Sequence, residues 1–142
     1  RSPSRGLGDV YKRQVISSNA NVVFVAPKSG IVEIKITMFC DGGGSVDTFF
    51  VGLSDAATYN QLGVRYEKQV AKPDETDDFL IDAMFAVNGL TPGTTYQYWV
   101  GAKQAGIGTN KIMIGRSNSA NRSHAVVIKA TALPSNANIN LD

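Results

Sequence analysis

Acidic side chains cluster in two polar segments of the chain, and these are the residues whose types could do chemistry. One segment runs from Asp41 to Asp47 around three consecutive glycines, and the other, residues 72–78, contains Asp74 and Asp77. Carboxylate oxygens are the ligands that Ca²⁺ prefers, and two carboxylates at a suitable separation can hydrolyse a glycosidic bond. Neither segment matches an ordered calcium-loop pattern, so we interpret the charges as solvated loop side chains. We predict no catalytic, metal-binding or cofactor-binding residue.

The other reactive side chains occur singly. His124 is the only histidine, and its neighbour Ser123 does not make a catalytic triad, because triad members are recognised by geometry and not by adjacency. Cys40 is the only cysteine and ends an alternating run, which is typical of a small buried hydrophobic residue. Residues 42–44 are glycines without the lysine and the strand-to-helix context of a phosphate-binding loop. We therefore predict that the chain is not an enzyme.

Alternation of apolar and polar residues predicts strands along most of the chain. In one run, Val32, Ile34, Ile36 and Met38 lie on one face, while polar residues lie on the other. Glycine, proline and polar clusters separate such runs, as in a sandwich or barrel. We predict an all-β fold, a single antiparallel β-sandwich of about eight strands with jelly-roll topology. The predicted strands are residues 21–25, 31–40, 49–53, 62–70, 79–87, 94–102, 111–115 and 125–132.

The first 14 residues lack apolar periodicity, so we do not include them in the predicted domain. Residues 9–14 look like the translation of a transposon end used in sequencing-library preparation, so we interpret residues 1–14 as a non-native or disordered segment. The predicted β-sandwich domain is residues 15–135, and residues 136–142 form a loose tail.

The charge of the domain differs from that of the whole chain. The chain has 14 Lys+Arg and 12 Asp+Glu, but the first 14 residues hold four of the basic and one of the acidic side chains, which leaves −1 for the rest. A domain without a basic excess is not expected to bind nucleic acid. No apolar run approaches the ~20 residues of a membrane span, so we predict no membrane insertion.

Two local patterns resemble known modules. Residues 24–34, in which Pro27 and Gly30 lie in a turn between two strands, resemble the opening strands of jelly-roll modules related to C1q and tumour necrosis factor. Residues 89–96 and 127–134 are similar to segments of surface proteins of bacterial viruses, namely fibre tips and head-decorating proteins. The closing strand here is aliphatic, whereas the C1q-type strand is rich in aromatic residues.

The resemblance implies a non-enzymatic virion surface module, a bacteriophage fibre knob or receptor-binding domain that assembles as a homotrimer. Such a module is made in the host cytoplasm and lies on the virion surface. Its partner would be a host-surface receptor or glycan, or the capsid lattice. Two alternatives stay open. One is a capsid decoration protein; the other is a carbohydrate-binding adhesive module of a larger secreted protein, with Tyr59, Tyr98 or Trp99 stacking on a sugar.

Eight residues form the candidate binding surface. Seven of them lie in predicted loops, where binding residues are most common. Trp99 comes from a predicted strand, in which alternation places it on the face opposite Tyr98. An aromatic residue on an otherwise polar face marks a ligand platform or a subunit interface, unless Trp99 packs under a long loop. The eight residues are Asp41, Asp47, Asp74, Asp77, Trp99, Asn110, Arg116 and Arg122.

Overall fold

Alternating sequence forms strands through most of the chain that the computed structural model describes, which is residues 14–42, 48–60, 62, 66–70, 78–105, 112–114 and 126–136. Nine strand segments and no α-helix occur in these ranges, so nothing in them forms a helix that could cross a membrane. The segments are β1 (Gln14–Val15), β2 (Asn21–Val25), β3 (Val32–Gly42), β4 (Thr48–Ser54), β5 (Glu67–Val70), β6 (Asp78–Val87), β7 (Thr95–Ala105), β8 (Ile112–Ile114) and β9 (Val127–Ala132).

The strands form two antiparallel sheets. In the first, which we call the β7 sheet, β7 lies between β4 on one side and β1 and β2 on the other, and β5 pairs with the far side of β4. In the second, the β3 sheet, β3 lies between β6 on one side and β8 and β9 on the other. The predicted all-β antiparallel sandwich is therefore confirmed.

Two of the edge strands are interrupted. β1 pairs with β7 at residues 101–102, and β2 continues along the same side of β7 from Trp99. Between β1 and β2, residues 16–20 leave the edge of the sheet opposite Val100. The N–H of Ile16 donates to the carbonyl of Val100, and the N–H of Val100 donates to the carbonyl of Ala20, each over 3.0 Å. β8 and β9 follow each other in the same way along β3. Counted as continuous edges, the nine segments make seven strands.

Each of the eight predicted strands corresponds to one of the segments β2 to β9. The prediction has one strand fewer than the nine segments because it lacked β1. It has one more than the seven continuous strands because it counted β8 and β9 separately. Several predicted boundaries were wrong. β5 begins at Glu67 and not at residue 62, and β3 extends through Asp41 and Gly42, which had been predicted as loop. β7 extends through Ala105, although its predicted end is residue 102. Backbone pairing of Asp41 with Asp78 and Met113 extends the strand past the point where side-chain alternation ends.

Strand pairing is nested along the chain. β4 pairs with β5, β3 with β6, and β2 with β7, all antiparallel. This is the pairing of one long hairpin folded over onto itself, which is the winding of a jelly roll. The segments β8 and β9 then add beside β3 on the side away from β6.

The core lies between the two sheets and follows the period-2 alternation of the strands. Alternate residues are buried from Val32 to Met38 in β3 and from Ile81 to Val87 in β6. From the other sheet, Val51 and Leu53 of β4 and alternate residues from Tyr98 to Ala102 of β7 are buried against them. Fully burying one such aliphatic side chain is worth about 1.5–3 kcal/mol. The buried strand residues are Val32, Ile34, Ile36, Met38, Val51, Leu53, Ile81, Ala83, Phe85, Val87, Tyr98, Val100 and Ala102.

Candidate functional site

Several strand ends meet at one end of the sandwich, which we call the loop end. β3 finishes at Gly42 opposite the start of β8, and β6 begins at Asp78 opposite Asp41. In the other sheet, β4 begins at Thr48 opposite Ala105, the last residue of β7. The chain connections 43–47, 71–77 and 106–111 therefore leave from and return to the same end.

Most of the predicted binding residues fall on these connections or on the insertion between β8 and β9. Asp41 belongs to β3, next to its last residue, and Trp99 belongs to β7. The other six predicted residues, and also Ser123 and His124, lie outside the described residues; the six are Asp47, Asp74, Asp77, Asn110, Arg116 and Arg122. The prediction for residues 1–13 likewise lies outside, whereas Gln14 pairs with Ala102 in β1.

The opposite end of the sandwich is closed by hydrogen bonds between turns. The N–H of Ala26 donates to the carbonyl of Thr94, and the N–H of Gly93 donates back to Ala26, both over 2.9 Å. Gly30 has a φ of 69°, and a Cβ there would lie 2.6 Å from the carbonyl oxygen of Leu90. Only glycine fits this turn, because the positive φ and the close approach both exclude a side chain. We call this the closed end.

The outer surface of the β7 sheet carries a second arrangement, which involves Trp99. Because Val51 and Val100 point into the core, alternation directs their neighbours outward. Two of these outward residues, Gly52 of β4 and Gly101 of β7, are direct cross-strand partners. Two adjacent glycines leave a shallow depression on the sheet, since neither has a side chain.

Tyr59 fills this depression. A Cβ on Gly101 would overlap its ring, lying 2.6 Å from Cδ1 and still closer to Cε1, and a Cβ on Gly52 would lie 3.2 Å from its hydroxyl oxygen. The hydroxyl donates to Oε2 of Glu67 over 3.2 Å. Glu67 is the cross-strand partner of Gly52, so the tyrosine lies across β7, β4 and β5.

The loop that carries Tyr59 is built on Ser54. This serine is fully buried, and its Oγ accepts from the N–H groups of Ala56 (3.2 Å) and Asn60 (2.9 Å) and donates to the carbonyl of Ala56 (2.7 Å). Asn60 also donates from Nδ2 to Asp55 Oδ1 over 2.6 Å. One hydroxyl thus fixes both ends of the turn, and with them the position of Tyr59 over the glycine pair.

Trp99 lies on the next row of the same face and is half-buried. Its indole N–H donates to the carbonyl of Ser18 over 3.1 Å, and Asn21 Nδ2 donates to the same carbonyl over 2.9 Å. Gln97 Nε2 donates to Asn21 Oδ1 over 3.0 Å. The indole is therefore held by the short insertion between β1 and β2, with two side-chain amides beside it.

Phe50 and Lys103 complete this face on the other side of Tyr59. They are cross-strand partners, and Lys103 Nζ lies 5.5 Å from the centroid of the Phe50 ring, within the range of a cation–π contact. We call the outer surface formed by Phe50, Tyr59 and Trp99, with Asn21, Gln97 and Lys103, the aromatic face.

The inner side of β7 carries a separate aromatic cluster that belongs to the core. Tyr98 is 5% exposed and packs edge-on against Phe24, with ring centroids 5.5 Å apart, while Tyr96 stacks on Phe24 at 5.9 Å. Burial, and to a smaller extent the neighbouring Tyr96, raises the pKa of Tyr98 to about 12. The prediction that Tyr98 could stack on a sugar is wrong, whereas its placement on the face opposite Trp99 is confirmed.

Sequence reasoning identified Trp99 and named Tyr59 but did not bring them together, and it did not single out Phe50. The available signal was a pair of glycines, Gly52 and Gly101, at outward positions of two strands. A glycine inside a strand often marks a place where another group approaches the backbone closely. No group of three His, Cys, Asp or Glu side chains in the described ranges is arranged to hold a metal ion.

No family model matches the chain, and no curated protein or solved structure is significantly similar to it. The loop end and the aromatic face are therefore the features of the molecule that indicate a function.

Proposed function

We propose that this chain is a non-enzymatic surface module of a virion, a bacteriophage fibre knob that contacts a host-surface receptor through its loop end. The observation that carries the proposal is the meeting of the strand ends around connections 43–47, 71–77 and 106–111. Loops held at one end of a rigid sandwich are a common arrangement for binding. The closed end, with its mutually bonded turns, is the end suited to attachment.

The proposal includes assembly as a homotrimer. It is supported by exposed aliphatic side chains on the outer surface of the β3 sheet, where Leu80 is 62%, Met84 46% and Val127 48% exposed. We call this surface the aliphatic face. Thr37 and the Lys35–Asp82 ion pair lie between these apolar side chains. Large exposed apolar side chains bordered by polar residues commonly mark a protein–protein contact, and a fibre knob would cover them with neighbouring copies. The virion origin is supported by the resemblance of residues 24–34, 89–96 and 127–134 to phage-type surface modules.

Binding of the 142-residue chain to bacterial cells tests the loop end directly. The fluorescently labelled chain is titrated on a panel of bacterial strains, together with a variant in which residues 72–77 are replaced by glycine and serine. The matched control is Lys28→Glu, a charge change at an exposed residue of the closed end. We expect the loop replacement to weaken binding by about tenfold or more, which corresponds to 1.4 kcal/mol, and Lys28→Glu to leave it unchanged.

The reverse pattern, with binding lost in Lys28→Glu and kept in the loop replacement, would contradict the proposal.

Light scattering on the same chain tests the assembly, because a trimer has three times the 15.2 kDa mass of one chain. A monomer that binds capsids and not cells would favour a capsid decoration protein.

A further inference from the structure

We propose that the aromatic face binds a saccharide chain, with Trp99 and Tyr59 stacking on sugar rings. This site lies on the side of the sandwich and is independent of the receptor contact proposed for the loop end. The deciding juxtaposition is the half-buried ring of Tyr59 over the Gly52–Gly101 pair, one row away from Trp99.

The spacing of the aromatic side chains suits an extended ligand. Trp99, Gly101 and Lys103 are alternate residues of β7, so successive rows of the face lie about 7 Å apart. Tyr59 covers the Gly101 row, and Phe50 is the cross-strand partner of Lys103. One indole and two phenyl rings therefore occupy three consecutive rows of a single face, which spans about 13 Å along the strand.

The aromatic side chains are held in place before any ligand arrives. Trp99 is bonded to Ser18, and Tyr59 is fixed by its bond to Glu67 and by the loop built on Ser54. Ordering such side chains only on binding would lower the affinity, so a fixed face favours binding.

Polar groups beside the rings match the hydroxyl groups of a sugar. The amide of Gln97 uses one N–H on Asn21, which leaves its carbonyl oxygen at the exposed surface with no hydrogen bond to the described residues. Lys103 adds a cationic donor on the far side of Tyr59. A pyranose has an apolar C–H face and a rim of hydroxyl donors and acceptors, so rings flanked by amides and a charge complement both parts.

Other ligand classes fit this face less well. A single-stranded nucleic acid also stacks on aromatic rings but requires a basic groove along its backbone, and Lys103 is the one lysine or arginine among the described outward residues of β2, β4 and β7. A peptide that adds a strand needs a free sheet edge, whereas β4 and β7 are paired on both sides. The aliphatic face has the ion pair Lys35–Asp82 among its apolar side chains and is better suited to protein contact.

Trp99 provides its own spectroscopic probe, because it is the only tryptophan in the chain. The 142-residue chain is titrated with soluble cellohexaose, chitohexaose, maltohexaose and a purified bacterial O-polysaccharide at up to millimolar concentration. We expect at least one of them to produce a saturable change in tryptophan emission. The absence of a saturable change with all four would overturn the proposal.

Variants then locate the binding site by calorimetry with the saccharide that binds. We expect Trp99→Ala and Tyr59→Ala each to weaken binding by about tenfold or more, and Trp99→Phe to weaken it less. Gln97→Ala removes an exposed side chain that has no part in the core, so its expected several-fold loss does not depend on folding. Lys28→Ala, at an exposed residue of the closed end, is the matched control and should bind like the parent chain.

Equal affinity in Gln97→Ala, Tyr59→Ala and the parent chain would overturn the proposal, as would an equal loss in Lys28→Ala. The variant with residues 72–77 replaced separates this site from the loop end. It should retain full saccharide affinity, whether or not it binds cells.

Discussion

The two outer faces of the sandwich arise from the same alternation but have different surfaces. On the aliphatic face, Leu80 and Met84 stand well exposed, and between them Asp82 pairs with Lys35 at 3.6 Å and accepts from Thr37 Oγ1 at 3.2 Å. Every outward position there carries its own side chain. On the aromatic face, Gly52 and Gly101 lack side chains, and Tyr59 from the loop that follows β4 occupies the space. A loop that folds back over paired glycines can thus place an aromatic ring where strand residues alone could not.

The largest expected difference between the faces comes from adding side-chain volume. Gly101→Val would put a branched side chain into the ring of Tyr59, so we expect a loss of about 3 kcal/mol in the free energy of unfolding. Ala86→Val is the matched change on the outer side of β6, at a half-buried alanine whose cross-strand partner is Glu33. It should alter stability by less than about 0.5 kcal/mol.

Urea denaturation of both variants makes this comparison. If Gly101→Val proved as stable as Ala86→Val, then Tyr59 would not lie on the glycine pair. Saccharide affinity gives a second readout, because displacement of the ring should weaken binding in Gly101→Val alone.

Much of this contrast could be predicted from the sequence, and the part that could not has a physical cause. Alternation along a single strand is a local signal, so it placed Trp99 and Tyr98 on opposite faces of their strand. The glycine pair depends on the register between β4 and β7, two strands almost 50 residues apart in the chain, and no local pattern specifies that register. The segment β1 has only two residues, which pair with residues 101–102, and two residues are too few to show an alternation of apolar and polar side chains.

The candidate site was likewise predicted only in its local features. The sequence identified loops with suitable residue types, but it did not indicate which of these loops share an end of the sandwich. The strand directions and the pairs Asp41–Asp78 and Gly42–Ile112 supply that information. Pairing between strands that are far apart in the sequence brings their ends together, and the composition of a loop does not specify that pairing.

A smaller difference between the faces is expected from removing one hydroxyl group. Ser54→Ala would leave the part-buried N–H groups of Ala56 and Asn60 without their acceptor, and we expect a loss of about 1 kcal/mol. Thr37→Val removes the exposed hydroxyl that bonds to Asp82 on the aliphatic face and should change stability by less than about 0.5 kcal/mol. Thermal and urea unfolding measure both, and equal effects would mean that the loop is not anchored by Ser54.

The smallest expected effect is a pH dependence of stability that comes from the inner side of β7. Tyr98 lies there, in the core beneath the aromatic face. The pKa of Tyr98 is raised from 10.0 to about 12 because burial disfavours the phenolate. The unfolded chain therefore releases this proton at a lower pH than the folded chain. The stabilisation is complete below pH 10 and is lost as the pH rises from 10 to 12, by about 1 kcal/mol once partial solvent access is allowed for.

Tyr98→Phe should remove this component of the pH dependence while other tyrosines and lysines still titrate. The quantity to measure is the difference in unfolding free energy between the parent chain and Tyr98→Phe, followed from neutral pH to pH 12. A difference that stays constant across this range would show that the Tyr98 hydroxyl is as well solvated as in the unfolded chain. That result would place water beneath β7, and the rigid backing that positions Trp99 and the Gly101 row for a ligand would be lost with it.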